Sequence, residues 1–308
     1  MSAKTLIRVA FALGVVLILW AAAELVTGRG DEIETGVVIE PFSRGAVEAI
    51  EFLSADDTVK LHRTPDGWTV NGFDAAQSEV ESLFEALAEA GEGELVARSP
   101  SSHARMGVVD SAGVRLSVGS GEETLADVIV GKRGRAYQTR YVRREGDDRV
   151  FLVKGRLAGL VERQVTDWRD KLIVDVQPDS VARLTVTRGS RRFTLVRADS
   201  LWNFENGGPT DSSRVRRTLE AYKGLSASGG SVFATPEQID SIDFAHPDRR
   251  TVLETAGGDT LAHLVFDSTS TGFWVRHDSG GTVYHLLTWK VNDLTPTDSV
   301  LRRKEESN

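Results

Sequence analysis

Six histidines and no cysteine set the inventory of nucleophiles and metal ligands in this 308-residue chain. His263, His277 and His285 fall on three consecutive stretches that read as strands. Three imidazoles brought to one face of a sheet can hold a zinc ion at about 2.1 Å. The competing reading is ordinary sheet-surface histidine, because no carboxylate stands beside them at a diagnostic spacing. His246-Pro247-Asp248 reads as a turn, and its His–Asp pair has no Ser to activate. The lack of Cys removes thiolate catalysis, Cys-type zinc sites, iron–sulfur clusters and a disulfide scaffold. No Gly-x-Ser-x-Gly elbow, His-Glu-x-x-His pair or phosphate loop occurs. Gly119-Ser120-Gly121 and Gly131-Lys132-Arg133-Gly134 fit turns better than phosphate cradles. No catalytic residue and no cofactor are assigned.

Two further sets of residues have a binding reading. Arg140, Arg143 and Arg144 sit on one expected hairpin. They form either a docking patch for an acidic partner or a solvated sheet face paired with acids across strands. Trp68 and Trp202 either pack a helix against a sheet or stack on a glycan. A net charge of -8 argues against a nucleic-acid binder, which needs a basic face to displace counterions.

Positioning begins at the N-terminus. Residues 6–26 are almost wholly apolar, interrupted by Arg8 and Glu24 near the two ends. A helix over this run rises about 30 Å, enough to cross the hydrocarbon core. Lys4 and Arg8 precede it, while Asp31, Glu32 and Glu34 follow. The positive-inside rule places the N-terminus in the cytoplasm and the rest outside, as a single-pass protein of the cytoplasmic membrane. The alternative is a signal peptide cleaved after Ala23, since Ala21-Ala22-Ala23 fits a small-x-small site. Both readings export the bulk of the chain.

Beyond the span, the sequence repeats itself at an offset of about 134 residues. Alternating residues 46–52 match 180–186, and 59–61 match 193–195. Trp68 matches Trp202. Val80, Phe84 and Leu87 mark a helix, as do Val215, Leu219 and Tyr222. Asp74 with Gln77 suggests a capping box for the first helix, and Asp211 or Ser212 caps the second. Ser99-Pro100 and Thr235-Pro236 each open a short helix. Four strands then follow in each half: 114–118, 126–130, 139–143 and 149–153, against 251–254, 261–266, 273–277 and 282–287. A short helix closes each half, over 155–164 and 290–294.

The expected fold class is α+β: a transmembrane helix followed by two tandem homologous units, each mainly an antiparallel sheet with one longer helix. The boundaries read 1–28 for the tip and anchor, 29–44 for a linker, 45–174 and 175–304 for the units, and 305–308 for a tail.

On these residues the chain resembles a bacterial family, the domain of unknown function 4340. The resemblance rests on the apolar span, Asp66-Gly67-Trp68, the helix around Leu83 and Leu87, and the stretch from Ser99-Pro100 to Met106-Gly107-Val108. Tyr141-Val142-Arg143, Val150-Phe151-Leu152-Val153 and Arg169-Asp170-Lys171 also match. The second half departs at Leu201 and Asp243, where the family pattern has Gly. The resemblance implies no activity. It implies a membrane-tethered accessory role beside ABC-type export or gliding-motility transporters. The expected function is a non-enzymatic, extracytoplasmic interaction module of a transport or envelope complex, held by residues 6–26. A metal-binding protein or hydrolase using the second-unit histidines and a glycan-binding module are the alternatives.

Overall fold

Alternation of apolar and polar residues drives most of this chain into antiparallel sheet, as the computed structural model shows. The structure describes residues 14–18, 33–199, 201–228 and 232–303. Most of the apolar run 6–26 therefore lies outside the described residues, as does the expected tail 305–308. Among the described residues no helix is long and apolar enough to cross a membrane. The chain divides into two compact units at Val165 and Thr166. That division lies earlier than the expected 174/175, because residues 172–174 pair with 225–226 of the second unit.

The first unit contains β1 (Thr35–Val37), β2 (Ala49–Leu53), β3 (Thr58–Thr64), β4 (Gly67–Val70) and β5 (Phe73–Asp74). Helix α1 (Gln77–Glu89), β6 (Glu92–Ala97) and α2 (His103–Met106) follow. The unit continues with β7 (Val114–Ser120), β8 (Glu123–Arg133), β9 (Thr139–Arg144), β10 (Val150–Lys154) and α3 (Leu157–Leu160). All ten strands form one sheet in the order β1-β6-β10-β9-β8-β7-β2-β3-β4-β5. Strand β6 has no counterpart among the strands expected from alternation, and the expected linker 29–44 is not all linker. Instead β1 pairs with β6, and Val38 and Ile39 are buried.

Helix α1 buries Val80, Leu83, Phe84, Ala86 and Leu87, the apolar stripe expected from its spacing. Its N-cap is Ala76, with no side-chain cap. The expected capping box fails because Asp74 is spent in β5, opposite Thr69. Gln77 instead packs against the turn before Trp68. A Cβ on Gly67, whose φ is +139°, would lie 2.5 Å from the Gln77 amide nitrogen. The Trp68 ring meets Phe84 edge-on at 5.8 Å and closes the seam between sheet and helix.

After α4 (Val165–Trp168), the second unit has β11 (Leu172–Val174), β12 (Arg183–Arg188), β13 (Arg191–Ala198) and β14 (Leu201–Phe204). Next come α5 (Ser212–Glu220), β15 (Leu225–Ser226) and α6 (Pro236–Ile239). It ends with β16 (Arg249–Glu254), β17 (Thr260–Ser268), β18 (Gly272–His277), β19 (Gly280–Leu287), α7 (Thr288–Leu294) and α8 (Asp298–Leu301). Seven strands run β14-β13-β12-β16-β17-β18-β19, and β11 pairs separately with β15. Val215, Leu219 and Tyr222 pack on Leu184, Leu195, Leu253 and Leu264. Asp211 caps α5 by accepting from the amides of Ser213 and Arg214.

Register recurs along with order. Ile50 faces Leu61 and Arg63 faces Trp68 in the first unit. Leu184 faces Leu195 and Arg197 faces Trp202 in the second, each about 134 residues later. The turn before Trp202 has no glycine, and Asp199 carries its positive φ of 54°. An Asp tolerates that left-handed geometry better than most residues, so Leu201 can stand where glycine stands in the first unit.

Candidate functional site

Charge is distributed unevenly along this acidic chain. From Val128 to Arg144 there is no Asp or Glu, yet Lys132, Arg133, Arg135, Arg140, Arg143 and Arg144 all fall there. This segment is the end of β8, the connection 134–138, and β9. Gly131-Lys132-Arg133 is strand rather than the expected turn. A Cβ on Gly131 would lie 2.5 Å from the Met106 carbonyl oxygen, so only glycine lets α2 approach β8 so closely.

The expected docking set does not form a patch. Arg140 is buried, donating through Nε to the Ala158 carbonyl at 3.1 Å and through Nη1 to Gly131 at 3.0 Å. It also pairs with Glu162. Arg143 donates to the carbonyls of Val108 at 3.0 Å and Asp147 at 3.2 Å. Both are internal struts that satisfy loop carbonyls. Arg144 alone remains half-exposed, 3.3 Å from Glu40. Alternation along β9 turns Arg143 away from Arg140 and Arg144, and burial withdraws Arg140 from the face it shares with Arg144, so the three arginines form no common surface.

A different cationic site lies beside them. A cleft of about 500 Å³ opens between the 134–138 connection, α1 and α3. Ser82, Arg133, Tyr137, Arg156, Gly159 and Arg163 line it. Carboxylates already brace its arginines from one side. Arg156 holds Glu85 at 2.7 Å and Glu89 at 2.8 Å, while Arg133 pairs with Glu162 and Arg163 with Glu79. Hydrogen bonding from Arg156 lowers the Glu89 pKa from its ordinary value. Burial works against ionisation of Glu162, but the bonds from Arg133 and Arg140 outweigh it and lower its pKa. Tyr137 is 85% exposed, and Gln138 beside it takes a left-handed φ of 54°. Sequence reasoning missed Tyr137, Arg156 and Arg163. The carboxylate-free stretch 128–144 was the available signal for this region.

The three candidate metal ligands are separated. The imidazole Nε2 of His277 donates to the Ile173 carbonyl at 2.8 Å, on the side of the main core. His285 lies on the opposite face, edge-on to Trp274 with ring centres 5.1 Å apart. His263 shares that second face by alternation with Val265, and its Nδ1 is 3.5 Å from Asp278. His263 on β17 and His285 on β19 are two strand spacings apart across β18, about 10 Å, and are offset along it by about four residues, about 13 Å. One ion cannot reach all three. Burial lowers the pKa of both His263 and His285 from the ordinary imidazole value. Among the described residues no cluster of His, Asp and Glu is placed to hold a metal.

A family model described as Domain of unknown function (DUF4340) matches residues 68–241. The chain belongs to this family. The match runs from Trp68 in β4 of the first unit to the turn after α6 in the second, and takes in the whole cleft. No curated protein and no solved structure matches the chain.

Trp202 resembles Trp68 in its setting. Both are buried, and the Trp202 carbonyl accepts a 2.6 Å hydrogen bond from the Thr210 hydroxyl. Neither ring is presented for stacking on a glycan.

Proposed function

We propose that this chain is a single-pass membrane protein with its N-terminus in the cytoplasm and both units outside. We read it as a non-enzymatic interaction module of a transport or envelope complex, with an ABC-type transporter as the expected partner. The observation that carries the reading is the apolar run 6–26, with bases before it and acids after it. One feature supports an interaction role. Arginines braced by carboxylates line the cleft beside Ser82 and the exposed Tyr137.

The two units are, on this reading, copies of one ancestral unit. Common strand order, common pairing register and the matched Trp68 and Trp202 support the duplication.

Membrane fractionation tests the anchor. The full-length chain is expected to sediment with membranes and to resist high salt, since an apolar span is not an electrostatic tether. Full-length chain in the soluble fraction would refute it, and a form beginning at Glu24 would show cleavage instead. Affinity purification from detergent-solubilised membranes tests the role, with a transporter subunit as the expected co-purifying protein.

A further inference from the structure

We infer that the connection between β8 and β9, with the cleft beneath it, docks an acidic polypeptide segment. The inference deepens the interaction-module reading and rests on it. Its basis is the contrast between spent and unspent cations on one hairpin. Arg140 and Arg143 are consumed inside the unit. Arg135 and Tyr137 stand exposed at the tip with no hydrogen bond, ion pair or ring contact among the described residues. Arg133, also exposed, bonds Glu162 through Nη2 alone and keeps further N–H donors for a ligand.

Three observations select the ligand chemistry. No Asp or Glu falls between Val128 and Arg144, so the exposed Arg133 and Arg135 offer guanidinium donors suited to a carboxylate. The exposed pair is a Tyr and an Arg, the residue types that dominate protein-binding hot spots. The tip is locally positive on a chain of net charge -8, so electrostatic complementarity there favours an acidic segment.

Strand direction favours a protein over a bilayer. The Glu34 carbonyl accepts from Leu95, at the end of the sheet where β6 meets Val150. Thr139 and Lys154 mark the other end, and the 134–138 connection extends from there. The chain coming from the apolar run thus enters the sheet at the end away from the tip.

The test uses full-length protein in neutral detergent micelles and a fluorescent decaglutamate peptide, with decalysine as the opposite-charge probe. Decaglutamate is expected to bind, to weaken steeply with added salt, and to lose about tenfold in affinity in Arg135→Glu and in Tyr137→Ala. Arg191→Glu reverses an exposed charge in the second unit and should change affinity less than about twofold. All three variants should melt like the parent. Equal binding of decaglutamate and decalysine, or equal loss in Arg191→Glu, would overturn the inference. So would phosphatidylglycerol vesicles binding the parent but not Arg135→Glu while decaglutamate fails to bind. A soluble chain that still binds decaglutamate at the tip would sink the membrane anchor alone. An anchored chain that ignores the peptide would sink this inference alone.

Discussion

The connections at the same place in the two sheets differ sharply. In the first unit β8 and β9 are joined by residues 134–138, which carry Arg135, an exposed Tyr137 and a left-handed Gln138. In the second unit β17 and β18 are joined by Thr269, Ser270 and Thr271, which are held by short hydroxyl and backbone bonds. The flanking strands are both antiparallel, but β8 and β9 shift register between Val130 and Arg133 while β17 and β18 pair without a shift up to their connection. A rigid ladder tolerates exchange of its connecting loop, and distinctive surface chemistry accumulates there. The stretch after the longer helix shows the same lesson. In the first unit β6 bridges β1 and β10 in one sheet. In the second, β15 reaches only β11, and residues 232–234 run beside β19. Residues 221–235 span more chain than residues 90–99, and the extra length breaks one strand into two pairings.

The strongest way to test the shared scaffold is at its two tryptophans. Trp68→Ala and Trp202→Ala should each destabilise their unit by about 3–5 kcal/mol, since each removes a buried ring. Urea unfolding checks this, and an unchanged midpoint for either would show that the units use the position differently. Arg140→Ala comes next, at about 2–3 kcal/mol and confined to the first unit, because it strands carbonyls of Gly131 and Ala158. Arg144→Ala should cost less than about 0.5 kcal/mol, so comparable losses would restore a common role for the hairpin arginines.

Helix starts sharpen the comparison at smaller scale. Thr235 makes a full capping box with Gln238, whereas the Ser99 hydroxyl only reaches the Ser101 amide at 3.5 Å. Thr235→Ala should cost about 1 kcal/mol and Ser99→Ala a fraction of that, measured by thermal melts. The smallest effect concerns pH. Burial lowers the pKa of His263 and His285 below 6.5, so the unfolded chain takes up protons first as pH falls. Stability of the second unit is therefore complete above pH 6.5 and declines below it. A His263→Asn, His285→Asn variant should show a flatter melt-versus-pH curve between that value and the carboxylate range. An equally steep curve in the variant would assign the dependence to other groups.

Much of this protein could be read from the chain alone. Alternation located the core strands of both sheets, because one residue in two must face the core wherever a sheet is half-buried. Spacing located α1 and α5, and Ser99-Pro100 and Thr235-Pro236 marked short helices because capping and proline act locally. Strands β1, β6, β11 and β15 were not legible. β1, β11 and β15 are two or three residues long, and β6, which lies between β1 and β10, is defined by the neighbours it pairs with more than by its own pattern. The candidate sites failed for a related reason. A sequence records that Arg140, Arg143 and Arg144 are close along the chain, and that three histidines lie on successive strands. Which face each takes, and which carbonyl claims each guanidinium, depends on register and on distant backbone. The family, the α+β class and the uneven charge belong to the sequence. The braced cleft belongs to the fold, because α1, α3 and the 134–138 connection meet only once the sheet has formed.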